Sequence, residues 1–237
     1  MQFHKEVTEL IFPRRCPVCA KIVSVRGENI CPDCREELFY IKEPHCKKCG
    51  KGIDSYEKEY CYDCKKKTHY YTQGVGCFEY RGAIKDAIYQ YKYKNKREYA
   101  DFFIEELVKN QGNHIRRWNP DIIIPVPLHK KRRRKRGYNQ AEIIAGGISK
   151  NLSIPMDTHI LKRVKYTNPL KEYNEKERQQ MLIGAFQLSE RNLNWKKVLL
   201  IDDIYTTGST IDAIAKELKE HNIEETYFLA MSIGNGY

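Results

Sequence analysis

The strongest structural signal in this chain is the segment Val198-Leu-Leu-Ile-Asp-Asp-Ile-Tyr-Thr-Thr-Gly-Ser-Thr210. Four apolar residues lead into two carboxylates, Asp202 and Asp203, and a loop rich in hydroxyl groups follows. Beyond the loop, apolar residues from Ile211 to Leu218 recur at helical spacing. The segment therefore predicts a buried parallel strand, a polar loop and a helix. In such sheets ligands bind at the carboxyl ends of the strands.

The loop has the composition of a phosphate site. Its residues are Thr206, Thr207, Gly208, Ser209 and Thr210. Backbone N–H groups and hydroxyls at a helix N-terminus bind phosphate well, and the two carboxylates can accept hydrogen bonds from sugar hydroxyls. Together they indicate a ribose 5-phosphate. The simpler alternative is a strand-end acid pair beside an ordinary helix cap, although caps rarely need so many hydroxyls. A Walker-type site is excluded because the Gly-x4-Gly-Lys-Ser/Thr pattern is missing.

This segment resembles the phosphoribosyl pyrophosphate (PRPP) signature of type I phosphoribosyltransferases, which is an apolar strand, an acid pair and a Thr-Thr-Gly-x-Thr loop. The resemblance implies that Asp202 and Asp203 hold the ribose hydroxyls of PRPP and serve as the catalytic pair. It implies that the loop from Thr206 to Thr210 holds the 5-phosphate. It further implies Mg2+ as a cofactor that accompanies PRPP.

Eight of the nine cysteines form four Cys-x2-Cys knuckles that begin every 15 residues. Two knuckles complete a tetrahedral set of four thiolates, so the array predicts two closed structural Zn2+ sites. Consecutive pairing is favoured because it closes shorter loops, while an interleaved pairing stays open. The nearby His45 and His69 are expected at the surface. The predicted zinc ligands are Cys16, Cys19, Cys31 and Cys34, and then Cys46, Cys49, Cys61 and Cys64.

Composition points to a globular protein with polyanionic partners. The 237 residues carry a formal net charge of +11, and 41% are hydrophobic. Residues 1–70 have nearly balanced charge once zinc-bound thiolates are counted, so this module is a poor general DNA clamp. No apolar run reaches membrane-spanning length, so no membrane insertion is expected. Free thiols in a metal-binding pattern and the lack of a signal-peptide core favour a cytoplasmic location.

The remainder of the chain alternates strands and helices, which predicts an α/β fold with a mostly parallel sheet and flanking helices. Two domains are expected: a zinc-binding module with two four-cysteine sites at 1–70 and a phosphoribosyltransferase-like domain at 71–237. Cys77 lies in the first predicted strand and should be a buried, inert thiol. A second strand ends at Pro125-Val-Pro-Leu128, since its prolines cannot continue a ladder.

Seven consecutive basic residues follow that second strand. They lie at the sheet edge predicted for the phosphate loop, because parallel strands share their carboxyl ends. A polyanion is expected there: pyrophosphate, single-stranded nucleic acid or both. The nucleic-acid candidates in this run are Lys130, Lys131, Arg132, Arg133, Arg134 and Lys135, with Arg136 placed nearer to PRPP.

The combination of these motifs is similar to the ComF (ComFC) competence family, across essentially the whole chain. The residues that carry the resemblance are Pro125 to Leu128, Arg136-Gly-Tyr-Asn-Gln-Ala-Glu142, Tyr91-Lys-Tyr-Lys94 and the Cys knuckles. It implies a zinc finger joined to a phosphoribosyltransferase-like domain, needed for natural transformation and for handling incoming single-stranded DNA. A DNA-uptake helicase is a possible partner.

By position, this family resemblance makes Pro125, Val126, Pro127 and Leu128 the pyrophosphate loop, with Arg136 as a nearby cation. Lys162, Arg163 and Glu177-Arg178 would lie on the mobile loop, roughly 165–182, that covers the site in transferases. The chain departs from the family pattern at Leu170 and Met181.

Three functions are compatible with these observations. The first is a PRPP-binding transferase that serves DNA uptake, with no residue that identifies its acceptor. The second is a non-catalytic adaptor that binds single-stranded DNA or a helicase through the basic run and nearby tyrosines, which could equally be core residues. The third, a nucleobase salvage transferase, is disfavoured by the cysteine module.

Overall fold

The computed structural model describes residues 13–23, 27–167, 175–189 and 193–234. Within them, four strands form a parallel sheet in the order β1-β6-β5-β2. These strands are β1 (Gln73–Glu79), β2 (Ile122–Pro125), β5 (Lys197–Tyr205) and β6 (Glu225–Ile233). β5 is central and pairs with β6 on one side and β2 on the other, so the acid pair lies in the middle of the sheet. The expected parallel α/β architecture is confirmed.

Helices connect these strands and cover both faces of the sheet. Two short helices, α1 (Pro32–Glu36) and α2 (Tyr62–Lys66), each begin directly after the first cysteine of a knuckle. The longer ones are α3 (Gly82–Tyr93), α4 (Ala100–Trp118), α5 (Lys130–Arg136), α6 (Gln140–Leu152), α7 (Glu175–Leu182) and α8 (Ser209–Glu220). Among the described residues, no helix combines the length and the apolar character needed to cross a membrane.

The segment before β5 contains more regular structure than its polar sequence indicated. β3 (Leu161–Arg163) and β4 (Phe186–Leu188) pair antiparallel as a separate two-stranded sheet. Lys162 and Arg163 therefore belong to a strand, and their expected position on a mobile loop is wrong. The apolar pair Leu161 and Phe186 explains the difference, because both side chains are buried against the main domain. Of the expected lid, residues 168–174 lie outside the described part of the chain.

The hydrophobic core has two halves, one on each face of the sheet. One half contains the buried faces of α3, α4 and α6. The other contains the buried face of α8 together with β3 and β4. Cys77 faces the first half, where burial raises the pKa of its thiol well above the ordinary value. The buried, unreactive thiol expected for Cys77 is confirmed.

The cysteine-rich segment packs against this sheet rather than standing apart from it. Its first half shares the α4 side of the core through Cys16 and Cys34. Its second half shares the α8 side through Cys46, Cys49 and Cys61. A backbone hydrogen bond from Gly74 N to Lys48 O (2.9 Å) fixes the second half to β1. The boundary at residue 70 stays a prediction.

Candidate functional site

The acid pair lies near the end of β5, where the regular alternation of the strand is interrupted. Leu200 and Tyr205 pack on one face of the sheet, whereas Ile201 and Ile204 pack on the other. Side chains of a regular strand alternate between the two faces, so Tyr205, four positions after Ile201, should share its face. Ile204, three positions after Ile201, should lie on the other face. The observed arrangement is the reverse. The two carboxylates occupy this irregular stretch, and Asp203 N donates to Asp202 Oδ1 (2.8 Å). Both side chains are only partly buried and can meet a ligand.

A lysine from another helix already contacts the acid pair. Lys92, near the end of α3, places its Nζ 2.8 Å from Asp203 Oδ2, and both side chains are largely buried. Burial alone would lower the pKa of Lys92, but the carboxylate of Asp203 outweighs it and the pKa is raised. Sequence reasoning missed Lys92 because only the fold brings residue 92 next to residue 203.

The pKa of Asp202 departs strongly from its ordinary value. Loss of solvent, followed by the charge of Asp203, raises the pKa of Asp202 from 3.8 to about 7. Lys92 and Arg163 oppose this shift without cancelling it. Near neutral pH, Asp202 is therefore divided between a carboxylate and a carboxylic acid, which can donate a hydrogen bond as well as accept one.

The hydroxyl-rich loop joins this pair directly to the start of α8. Gly208 has φ +78°, and a Cβ on it would lie 2.7 Å from the Tyr205 hydroxyl, so both conformation and space require glycine. Thr207 Oγ1 and Ser209 Oγ are 3.0 Å apart. The loop thus gathers hydroxyls at the N-terminus of a helix of 12 residues, where backbone N–H groups favour an anion.

The segment Pro125 to Leu128 lies beside the acid pair, at the end of the neighbouring strand. Val126 N donates to Ile201 O (2.9 Å), one residue before Asp202. Asn139 caps α6 and also donates from Nδ2 to Val126 O (3.0 Å), which fixes the loop to the following helix. β2 ends at Pro125, as its prolines predicted. The structure therefore brings the segment for which a pyrophosphate role was predicted next to the acid pair.

The basic run forms a short helix, α5, capped by His129 and ended by Gly137 in a left-handed conformation. Several of its charges have partners that offset their mutual repulsion. Arg133 pairs with Glu142 (3.1 Å), and Arg132 Nη2 donates to Thr167 O (2.6 Å). Arg136 bonds Gln140 and lies 4.9 Å from the centre of the Tyr93 ring. Lys130, Lys131, Arg134 and Lys135 are exposed.

Arg163 is a second cation of the site, after Lys92. Sequence reasoning placed it on a mobile loop, whereas it belongs to β3. Its side chain is buried, and its Nη2 donates to Thr167 Oγ1 (2.7 Å). Burial, and next the charge of Arg132, lower the pKa of Arg163 to about 10, while Asp202 acts in the opposite sense. Arg132 and Arg163 therefore both hold Thr167, and the charge of Arg163 also acts on Asp202.

The tyrosines near this site divide into core and surface residues. Tyr91 and Tyr138 are buried, and Tyr91 donates its hydroxyl to Gln140 O (3.1 Å). Tyr89 and Tyr93 are 51% and 58% exposed, with ring centres 5.0 Å apart. Tyr166 is also exposed and lies within 6 Å of the charged groups of Lys131 and Arg132. Three aromatic faces are therefore open to a ligand around the basic helix.

The cysteines form two groups of four by consecutive pairing. One comprises Cys16, Cys19, Cys31 and Cys34, and the other Cys46, Cys49, Cys61 and Cys64, with all sulfur atoms of a group within 4.8 Å of one another. The Sγ atoms of Cys19 and Cys31 are 3.8 Å apart, and those of Cys49 and Cys61 are 3.7 Å apart. Tetrahedral zinc with Zn–S bonds of about 2.3 Å requires separations of about 3.8 Å. The donor sets fit structural Zn2+, as expected.

His69 does not lie at the surface, and that expectation is wrong. It is buried, with Nε2 3.6 Å from Cys64 Sγ and Nδ1 2.7 Å from Asp212 Oδ2. Its place between a knuckle and the helix of the phosphate loop accounts for the burial. His45 is partly exposed and lies 3.1 Å from Glu43.

Comparisons with known proteins give two family models that match separate parts of the chain. Residues 7–65 match the family model of the double zinc ribbon domain, and residues 137–231 match that of the phosphoribosyl transferase domain. Competence protein F of Haemophilus influenzae is 43% identical over 108 residues, which are 45% of this chain and 47% of that protein. The DNA utilization protein YhgH of Escherichia coli K12 is 29% identical over 144 residues, or 59% and 63% of the two chains. Competence protein ComFC of Bacillus subtilis is 23% identical over 151 residues, or 62% and 58%.

The chain is a homologue of these competence and DNA utilization proteins. It carries a double zinc ribbon and a phosphoribosyl transferase domain of parallel α/β fold. The alignments span 47–63% of the length of these three curated relatives. Among solved structures, a purine phosphoribosyltransferase from Pyrococcus horikoshii Ot3 has a TM-score of 0.36 and 17% identity, over 56% of this chain and 73% of that one. Similarity at that level supports no further conclusion.

Proposed function

We propose that this protein binds the ribose 5-phosphate part of PRPP at the β5–α8 loop and serves the handling of incoming single-stranded DNA in the cytoplasm. The observation that carries the first part is the continuity of Asp202 and Asp203 with the loop from Thr206 to Ser209. Carboxylates for sugar hydroxyls lead directly into hydroxyls and N–H groups for a phosphate. The second part rests on the relatives, whose names refer to competence and DNA utilization.

The roles of the side chains follow from their positions. Asp202 and Asp203 would orient the ribose, and Thr206, Thr207, Ser209 and Thr210 would bind its 5-phosphate. Leu128 would offer its backbone N–H to the pyrophosphate, because the segment Pro125 to Leu128 follows the strand beside the acid pair and Val126 N already donates to Ile201 O.

Cations around this position would attract the negative ligand. Arg163 acts electrostatically on Asp202, Arg132 is bonded to the same Thr167 as Arg163, and Lys92 pairs with Asp203. Arg136, at the end of α5, is held in place by Tyr93 and Gln140. When bound, magnesium would neutralise part of the pyrophosphate charge. The carboxylates of the acid pair are suitable oxygen ligands for it. Of the two, Asp203 already contacts Lys92.

A second candidate function is a non-catalytic adaptor that binds single-stranded DNA. The exposed rings of Tyr89, Tyr93 and Tyr166 around the basic helix favour it. Bases stack on exposed aromatic faces while phosphates meet basic side chains. The two functions are compatible, since a strand on α5 would pass beside the PRPP site.

Calorimetry with PRPP and Mg2+ tests the first proposal. The intact protein should bind, and Asp203→Ala should lose most of the affinity while its zinc content stays at two per chain. Asp54→Ala is the matched control, since this exposed carboxylate lies in the zinc module and pairs with Lys58. Equal affinity in the intact protein and Asp203→Ala would refute the role of the acid pair. Absence of binding in the intact protein would favour the adaptor.

A further inference from the structure

The two zinc ribbons attach to opposite faces of the sheet. The first, with Cys16 to Cys34, is tied to α4: Arg35 pairs with the buried Glu106, and Tyr40 donates its hydroxyl to Glu106 Oε2 (2.9 Å). The second, with Cys46 to Cys64, lies on the α8 face. Only the latter adjoins the helix that begins at the phosphate loop.

One link from the second ribbon runs through His69. Its two ring nitrogens face Cys64 Sγ (3.6 Å) and Asp212 Oδ2 (2.7 Å). The imidazole thus lies within hydrogen-bonding distance of a sulfur atom of the second ribbon and of a carboxylate of α8, and it connects the two. Asp212 lies in the first turn of α8, and its N donates to Gly208 O (2.8 Å).

Asp212 is held further by the chain on either side of His69. Its Oδ1 accepts from Tyr70 N (3.0 Å), and its Oδ2 lies 3.1 Å from Lys67 Nζ. The segment that immediately follows the last zinc ligand thus surrounds this carboxylate. The position of the Asp212 carboxylate therefore depends on the conformation of the segment that follows the second ribbon.

A second link reaches the other end of the loop. Tyr71 and Tyr205 join through their hydroxyls at 2.8 Å, and both rings pack on Phe228. Tyr205 is the last residue of β5, and its hydroxyl would lie 2.7 Å from a Cβ on Gly208. The loop from Thr206 to Ser209 is consequently held at its start through Tyr205 and just beyond its end through Asp212.

We propose that the second zinc ribbon positions the phosphate loop through His69 and Tyr71, and that the first ribbon does not. The inference rests on the proposed binding of a 5-phosphate at this loop. It makes zinc at the second ribbon and a phosphate at the loop positively coupled ligands. By linkage, each then strengthens the binding of the other by the same factor.

Ribose 5-phosphate and a zinc chelator together measure this coupling. At equilibrium, saturating ribose 5-phosphate should raise by roughly fivefold the chelator concentration that removes one of the two zinc ions, and leave that of the other unchanged. Cys19→Ser, which removes an exposed ligand of the first ribbon, identifies the protected ion. The zinc that this variant retains should still be protected.

Two matched substitutions, each of which removes one tyrosine hydroxyl, distinguish the effect of the second ribbon from that of the first. Tyr71→Phe should weaken ribose 5-phosphate binding by roughly threefold to tenfold and abolish the protection of zinc, while the protein still holds two zinc ions. Tyr40→Phe removes a comparable hydroxyl from the first ribbon's contact and should change neither quantity. His69→Phe keeps a ring but removes both nitrogens, and should give the same losses as Tyr71→Phe.

The inference is overturned if ribose 5-phosphate binds the intact protein without protecting either zinc ion, or if it protects both equally. It is also overturned if Tyr71→Phe and Tyr40→Phe bind ribose 5-phosphate alike. If the intact protein does not bind ribose 5-phosphate at all, the proposed function itself fails.

Discussion

Lys92 and Asp203 form an ion pair of 2.8 Å although 110 residues lie between them in the chain. The pair neutralises one of two adjacent carboxylates within the sheet. It leaves the charge of Asp202 to be determined chiefly by burial, which is the largest cause of its raised pKa. The lysine also places a positive charge where a polyphosphate would approach.

We expect Lys92→Met to weaken PRPP binding by about tenfold, because a charged hydrogen bond of this kind contributes about 1.5–3 kcal/mol. The variant should also need more Mg2+ for the same affinity, since the divalent ion must then offset both carboxylates. Calorimetry across a magnesium series measures both effects. Lys94→Met, at an exposed position just after the same helix, is the control. If the two variants bind alike, the ion pair has no part in binding.

Asp202→Asn should stabilise the protein more at pH 8 than at pH 5.5, and the difference from the intact protein should vanish only below about pH 4. The folded protein raises the pKa of Asp202 from 3.8 to about 7, so it binds this proton more tightly than the unfolded chain does. Stability contributed by the protonated group is therefore lost as pH rises between these values.

Thermal unfolding of the intact protein and of Asp202→Asn at each pH measures the difference in Tm between them. The titration of other groups affects both proteins alike and largely cancels in this difference. A Tm difference that is equal at both pH values would contradict the raised pKa. The variant should also lose affinity for ribose 5-phosphate. Asp202 would then favour binding while it lowers the stability of the protein at neutral and higher pH.

Gly208→Ala should distort the phosphate loop and weaken ribose 5-phosphate binding by at least tenfold. The new methyl group would meet the Tyr205 hydroxyl at 2.7 Å, and φ +78° is unfavourable for alanine. Adding Tyr205→Phe removes the hydroxyl and should restore part of the affinity. Gly146→Ala is the control, because that helical position has room for a methyl group and alanine favours helix by about 1 kcal/mol. Unchanged binding in Gly208→Ala would exclude the loop as the phosphate site.

For single-stranded DNA, the exposed charges and rings around α5 should act separately. Replacing Arg134 and Lys135 with Gln should reduce the slope of log affinity against log salt by about 1.4, since each phosphate contact on a single strand contributes about 0.7. Replacing Tyr89 and Tyr93 with Ala should weaken binding by about 1–3 kcal/mol per stacked base without changing that slope.

Filter binding of an oligonucleotide at several salt concentrations measures both quantities. Tyr56→Ala, an 80% exposed tyrosine of the zinc module, is the control. Arg132 is left intact because it holds Thr167. If neither pair of substitutions changes binding, single-stranded DNA does not occupy this surface.

The sequence by itself determined the elements whose signals are local. The apolar run before Asp202, the hydroxyl loop and the helical spacing after it are contiguous, so the strand, the loop and α8 could be predicted together. The knuckle spacing likewise predicted both four-cysteine groups, because two cysteines in one turn supply half of a tetrahedral site. Pro125 marked the end of β2 because proline cannot continue a ladder.

Only the tertiary structure decided which distant groups meet. The contact of Lys92 with Asp203, the pairing of Leu161–Arg163 with Phe186–Leu188, and the burial of His69 against Asp212 all depend on how the elements pack. The neighbours of a side chain along the sequence do not reveal its partners across the sheet. Burial and charge at those contacts then set the pKa of Asp202, which its residue type alone would place near 3.8.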